Sequence, residues 1–310
     1  MEQSRVRRDR DRRRRQIRRR RFVALLAIAL ALGGIVVAVL TTRGGGTEQV
    51  RAQRRTTTTA TAPKTEPKPA VATRLHLPAT LPSRTVSVPI LMYHRIDVLR
   101  PTLPELTRNL TVAPGDFAAQ MQWLKSHGFH TITQQQLYDA LERGKTLPPK
   151  PVLLTFDDGY RDVFGNASAL IDRLGLHATA YVITGRISGP DASFLTWPLV
   201  RSLEQRGFDI GSHTVNHVDL TQLSDSEALR ELEDSRRTLE RKLGHPVQWF
   251  AYPYGKEDAR VVDLTRRAGY VLAVTTQGGA SQQASAPLEL HRYEVLDSTG
   301  VGGLASMLGQ

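Results

Sequence analysis

The sequence predicts an α/β fold, a parallel sheet of about seven strand and helix units, over residues 85–310. Three observations predict it. Short apolar runs alternate along the chain with amphipathic stretches long enough to be helices, and that alternation implies parallel strands joined by crossover helices. Two adjacent carboxylates, Asp157 and Asp158, stand where one apolar run ends at Gly159, the strand end at which parallel α/β folds bind ligands. The chain has no cysteine, so a core and not disulfides must hold the segment together, and about 225 residues suffice for one such core.

Taken in order, Ile90 to Tyr93 is the opening strand. A helix is expected near Pro114 to Ser126, a short strand at Phe129 to Ile132 and a helix at Gln134 to Arg143. His127 and His130 flank Gly128 at the end of the first of these helices, where they read as capping and surface residues. The run Val152 to Phe156 is a strand, followed by a helix at Val163 to Leu174 and a strand at Ala178 to Ile183. Strands at Asp209 to Gly211 and Val247 to Ala251 enclose a long helix from Asp225 to Leu243. Ser224 before Asp225 and Glu227 marks that helix's start, and Gly244 after Lys242-Leu243 marks its end. A helix at Ala259 to Ala268, a strand at Tyr270 to Val274 and an alternating strand over Leu288 to Val295 complete the pattern, without internal repeats.

The first 84 residues have a different character. Residues 1–21 hold 12 Arg against 3 acids, and Phe22 to Leu40 is a run of 19 residues without a charge, close to the length that crosses a bilayer. Arginines ahead of the span predict a cytoplasmic N-terminus and an extracytoplasmic remainder. The run is longer than a usual signal-peptide core and no Ala-x-Ala cleavage site follows it before Thr41-Thr42-Arg43, which favours an uncleaved transmembrane anchor over a signal peptide whose removal would secrete the chain. Residues 41–84, rich in Thr, Pro, Ala, Gly and Arg, read as a disordered linker. Residues 85–310 carry 22 basic and 25 acidic side chains, a balance of −3. The chain's overall +12 therefore sits in its N-terminal part, where it marks topology and touches anionic lipid; nucleic acid is not an expected partner, and no protein partner is evident.

The chemistry concentrates in three segments. In Thr155-Phe156-Asp157-Asp158-Gly159 two neighbouring carboxylates cannot both ionise freely without a cation, which suits one to metal binding and the other to accepting a proton. In His213-Thr214-Val215-Asn216-His217 the imidazoles face the same way if the segment is a helical turn; two histidines, one carboxylate and an open position suit catalytic zinc. Nine histidines in 310 residues make such a pair a weak signal alone, and hydrogen-bonded loop histidines or an Asp N-cap are the plain alternatives. The third segment, Val247 through Tyr252-Pro253-Tyr254-Gly255, is a strand running into a turn.

In this order the three motifs resemble the polysaccharide deacetylase family, carbohydrate esterase family 4, over roughly residues 86–297. Pro89-Ile90-Leu91-Met92-Tyr93-His94 resembles the branch that deacetylates β-1,6-linked poly-N-acetylglucosamine. The resemblance implies a distorted (β/α) barrel and one divalent metal ion, Zn2+ foremost, held by Asp158, His213 and His217. It implies Asp157 as general base toward a metal-activated water, the backbone N–H of Tyr254 as a donor to the oxyanion, and His94 as the acid serving the departing sugar amine. Tyr93, Pro253, Tyr254 and Arg292 form the expected substrate-binding set. Two departures stand out. Ala251 occupies a position where many members carry an Arg that pairs with the base; Arg292 is the candidate replacement, with a plain surface arginine as the alternative. A clear late Leu-His motif is also missing, Leu290-His291 being the possible match. The expected activity is N-deacetylation of an extracellular N-acetylglucosamine polysaccharide. The alternatives are a peptidoglycan or chitin-type deacetylase, an O-acetyl esterase, or an inactive wall-polysaccharide-binding protein.

Overall fold

A curled parallel sheet forms the centre of the protein, whose computed structural model describes residues 73–310. The chain enters through β1 (Thr85–Ser87), β2 (Ile90–Tyr93) and β3 (Arg95–Ile96), then a short α1 (Glu105–Asn109), β4 (Thr111–Val112) and α2 (Pro114–Ser126). Next come β5 (His130–Thr131), α3 (Gln134–Arg143) and β6 (Pro151–Phe156), then a π-helical turn over Val163–Ala167 that continues into α4 (Ser168–Arg173). The second half runs β7 (Thr179–Val182), α5 (Trp197–Gln205), β8 (Asp209–Ser212), α6 (Asp225–Leu243), β9 (Trp249–Ala251) and α7 (Ala259–Arg267). It ends with β10 (Leu272–Val274), β11 (Ser281–Gln283), β12 (Tyr293–Glu294) and α8 (Gly300–Met307).

The main sheet has the order β10-β9-β8-β7-β6-β2-β12 with every neighbouring pair parallel, and β5 pairs additionally with β6. Its two edges approach each other through one late segment. Leu290 makes a parallel bridge to Val274 of β10, and three residues further on Tyr293 pairs with Leu91 of β2. The result is barrel-like, with a seam at residues 291–292 where the chain passes from one edge to the other.

Alternation along the strands divides the core. Leu91, Tyr93, Leu154, Phe156, Ala180 and Val182 pack with Phe117, Met121 and Leu124 of α2, whereas Ile90, Leu153, Tyr181 and Leu272 belong to a second cluster. Both faces being covered explains why β2 and β6 read as nearly unbroken apolar runs. The helices start and stop at encoded caps. Ser224 and Glu227 form a reciprocal capping box ahead of α6, Thr133 and Gln136 do the same for α3, and Gly144 and Gly244 end these helices in the left-handed conformation.

Differences from the sequence reading have local causes. The expected helix from Val163 opens as a π turn, and the strand expected at Phe129 to Ile132 pairs only over His130–Thr131. Helix α8 carries Gly300, Gly302 and Gly303, poor helix formers, and is held by burial of Leu304 and Leu308 beside α2. The packed body also begins before residue 85. The Leu75 N–H donates to Gln248 Oε1 at 2.6 Å, Gln248 Nε2 donates to the Leu75 carbonyl at 2.7 Å, and Tyr138 Oη donates to the His76 carbonyl at 2.6 Å. Hence the last part of the expected linker is packed, with Leu75 buried in the second cluster. The Arg-rich tail 1–21, the expected span 22–40 and linker residues 41–72 lie outside the described residues; among those described, no helix is long and apolar enough to cross a membrane.

A chain beginning at residue 85 is therefore expected to be about 2–4 kcal/mol less stable than one beginning at residue 73, from the lost burial and buried hydrogen bonds. Urea unfolding of the two forms measures this, and coincident midpoints would show that residues 73–84 add nothing to the fold.

Candidate active site

The candidate residues gather because they follow the C-terminal ends of parallel strands: His94 after β2, Asp157 and Asp158 after β6, His213 after β8 and Tyr254 after β9. At each turn the backbone is bent hard. Asp158, Thr214, His217 and Tyr254 have φ of 72°, 65°, 57° and 60°, four of the six non-glycine left-handed residues among those described. Such conformations cost about 1–3 kcal/mol each and persist where the surroundings impose them. Gly255, at φ 65°, has no alternative, since a Cβ there would lie 2.1 Å from Thr276 Oγ1.

The two neighbouring carboxylates are sent to different partners. Asp157, 2% exposed, is gripped by Arg292, 1% exposed, through two parallel bonds: Nη1 to Oδ1 at 2.8 Å and Nη2 to Oδ2 at 2.7 Å. The guanidinium also donates from Nε to the Thr275 carbonyl at 2.8 Å and from Nη1 to Thr155 Oγ1 at 3.2 Å, which fixes its plane. Burial pushes the Asp157 carboxyl up, but the charge and hydrogen bonds of Arg292 outweigh it and hold the group below the usual carboxylate range. Arg292 thus stands where the missing arginine at Ala251 leaves a need, and it enters from the barrel seam.

Asp158 turns the other way, toward the histidines. Its Oδ1 lies 3.5 Å from His213 Nε2 and 3.4 Å from His217 Nε2, and this buried oxygen has no hydrogen-bond partner. His213 donates from Nδ1 to the Ala251 carbonyl at 2.7 Å, which leaves the Nε2 lone pair facing Asp158. The segment is not a helical turn, as the spacing of four suggested. His213 directly follows β8, and a loop with two left-handed residues brings His217 round, its N–H donating to Thr214 Oγ1 at 2.9 Å. Glu231 of α6 staples that loop by accepting from the backbone N–H of Val215 and Asn216.

An orphaned carboxylate oxygen and two imidazole nitrogens, each offering a ligand atom within 4.8 Å of the others, fit a divalent cation. The electrostatics agree. Burial raises and the imidazoles lower the Asp158 carboxyl, which ends at about 2; burial and the neighbouring His213 depress His217 to about 4, leaving it neutral. Burial works against a proton on His213, yet Asp158 and Asp157 outweigh it and raise the group. A dication among the three would take over that proton's role.

These residues line a cleft of about 690 Å³ together with His94 and Tyr254. The Nδ1 of His94 is buried without a partner. Tyr254 is 59% exposed, its ring edge-on to His217 at 4.6 Å between centroids. Two expected substrate contacts need correction. Tyr93 is fully buried on the opposite face of β2 from Met92 and His94, stacked on Phe156 and donating to Gln120 Oε1 at 3.0 Å, so no ligand reaches it. Pro253 is buried behind the turn that presents Tyr254 and does not line the cleft. His291 is also outside it, its N–H bonded to Gln282. The sequence reading overlooked the wall formed by Tyr160, stacked on Phe194 at 5.0 Å between centroids and with the Arg95 guanidinium 4.8 Å from its ring centre. The only signal for it was Tyr160 following Gly159.

Comparison with known proteins places this geometry in context. A family model for polysaccharide deacetylase matches residues 144–273. YxkH of Bacillus subtilis, grouped by name with the polysaccharide deacetylases, is 31% identical over 222 residues, 72% of this chain and 75% of that protein. The structure of Streptococcus pyogenes deacetylase PplD in complex with acetate is 33% identical, with a TM-score of 0.67 over 73% of this chain and 99% of that one. A poly-beta-1,6-N-acetyl-D-glucosamine N-deacetylase of Staphylococcus aureus is 23% identical over 174 residues, 52% of this chain and 60% of that protein.

Arg292→Met is expected to cost about 3–5 kcal/mol at neutral pH, because it strands the Asp157 charge in a buried site. The depressed carboxyl contributes stability that is present above its ordinary value, about 4, and is lost as pH falls through the lower folded value. The gap between wild type and variant should therefore narrow in acid. Urea unfolding across that range tests it; a gap independent of pH would mean that Arg292 acts by packing alone.

Proposed function

The chain belongs to the polysaccharide deacetylase family of hydrolases, and we propose that it removes N-acetyl groups from an N-acetylglucosamine-containing polysaccharide outside the cytoplasmic membrane. The observation that carries this reading is the division of labour between the adjacent carboxylates: Asp157 locked to Arg292, Asp158 turned with His213 and His217 toward one point in an open cleft. Asp158, His213 and His217 would hold a divalent ion, Zn2+ by donor type, which when bound supplies Lewis acidity that brings the pKa of a water from about 16 to about 7.

The remaining steps fall to the chain's own groups. Asp157, ionised at neutral pH, accepts the proton of the attacking water, and Arg292 keeps its carboxylate oriented. The Tyr254 backbone N–H donates to the oxyanion that replaces the acetamide carbonyl. His94 gives a proton to the sugar nitrogen, which otherwise leaves poorly. Support for a glucosamine polymer comes from the Tyr93-His94 opening and the Staphylococcus aureus relative. Support for the location comes from the arginines of residues 1–21 ahead of the uncharged Phe22 to Leu40 run.

The full-length chain should release free amine from acetylated glucosamine oligomers, faster from β-1,6 than from β-1,4 linkage, with one divalent ion per chain and loss of activity on chelation. His213→Ala should lose both ion and activity, whereas Asp157→Asn should keep the ion and lose about two to four orders of magnitude in turnover. Full activity in His213→Ala, or none of these substrates turning over, would sink the reading.

His94→Ala separates proton donation from general support of the site. An amine must be protonated to leave and an activated phenolate need not be, so the variant should lose far more activity on the amide than on an aryl acetate. Equal losses would assign His94 to binding or structure.

A further inference from the structure

His94 sits at a break in the fold. β2 ends at Tyr93 inside the main sheet, and β3 begins at Arg95 outside it, paired only with β4. The imidazole has no hydrogen bond of its own at Nδ1, although that atom is buried. With no hydrogen bond at that atom to aim the ring, the backbone on either side carries more of the task of directing it. On the Tyr93 side the sheet supplies this; beyond Arg95 the partner is a two-residue strand whose bonds, from Arg95 N to the Leu110 carbonyl and from Asp97 N to the Val112 carbonyl, are both 3.2 Å.

A second support comes from the segment just after the paired carboxylates. Asp162 Oδ1 accepts from the Ile96 N–H at 3.0 Å, and its Oδ2 accepts from Arg95 Nε at 2.8 Å. Four residues later Asn166 Nδ2 donates to the Ile96 carbonyl at 2.7 Å. Two side chains thus take both backbone groups of one residue, as a neighbouring strand would, two positions beyond His94. Between them the chain winds as the π turn Val163–Ala167, and π turns insert one residue into a helix and recur at functional sites. The Asp162 side chain is 8% exposed, so its charge is answered chiefly by Arg95, whose guanidinium also steadies the Tyr160 ring of the cleft wall.

We propose that Asp162 and Asn166 are positioning residues that clamp the Arg95-Ile96 segment so that His94 meets the substrate nitrogen, an inference that rests on His94 as proton donor. The same stretch of chain then delivers both halves of the proton traffic: Asp157 directly, and His94 through the clamp. A displacement near 1 Å can cost about a hundredfold in a positioned proton transfer, whereas ligand binding by Asp158, His213 and His217 does not pass through this segment.

The test compares amide deacetylation and aryl acetate hydrolysis in the full-length chain, with bound metal measured in parallel. Asn166→Ala, an exposed position, and Asp162→Ala should each lower amide turnover tenfold or more while ester turnover stays within about threefold and metal content is unchanged. Asp162→Asn, which keeps an acceptor for the Ile96 N–H, should recover part of the amide loss. Should His94→Ala show the amide-selective loss while the clamp variants lose both activities equally or neither, the clamp is overturned and the reading of His94 stands. Equal losses in His94→Ala itself overturn both.

Discussion

Everything at this site depends on the buried ion pair between Asp157 and Arg292. Two carboxylates on consecutive residues would repel each other and compete for one cation, and a buried unpaired charge would cost several kcal/mol. The fold resolves this by giving each a different positive partner. Asp157 receives a guanidinium that cannot lose its proton, and Asp158 is left with its Oδ1 free beside two imidazoles. The pair also ties the barrel seam, since Arg292 arrives from the segment that bridges β10 to β2 while Asp157 extends β6. Replacing such pairs with apolar residues is often neutral or stabilising, so a buried pair at this place speaks for chemistry more than for stability.

The backbone around the pair is strained in a consistent pattern. Asp158, Thr214, His217 and Tyr254 are left-handed without being glycine, and each lines the cleft or, as Thr214 does beside His213, adjoins a residue that lines it. Surrounding bonds hold these conformations: Ala251 to the His213 ring, Glu231 to the loop and Thr214 to His217. The family relationship accounts for the motifs, and these bonds account for their geometry.

Much of this was legible in the sequence because it is local. Strand ends with a glycine, capping boxes and apolar alternation located β6, α3 and α6 and put Asp157 and Asp158 at a ligand-binding edge. What failed was non-local or two-valued. A spacing of four between histidines fits a helical turn and a tight loop alike, and the loop is what forms. Tyr93 beside His94 looked like a shared motif, but adjacent strand residues point to opposite faces, so one lines the cleft and the other stacks on Phe156. Arg292 was named as the replacement for the arginine missing at Ala251, but with a plain surface arginine left open beside it, because a partner 135 residues from Asp157 along the chain leaves no local signal. Residues 74–77 looked like linker because their burial is provided by Gln248 and Tyr138, far away in sequence.

In the proposed reaction, the pairing that orients Asp157 also weakens it as a base, because every interaction that favours its ionised form lowers its appetite for a proton. A base held this low works only if the water it serves is itself made acidic, and a cation held by Asp158, His213 and His217 in the same cleft would do that. The demand on the leaving side is the reverse. In the proposed reaction the sugar nitrogen must be given a proton, and His94, whose Nδ1 is buried without a hydrogen-bond partner, is held quite differently from the doubly bonded Asp157. A tightly paired carboxylate and an unpartnered imidazole lining one cleft would divide the proposed reaction between them, and the backbone on which His94 rides would then matter to it as the guanidinium that holds Asp157 does.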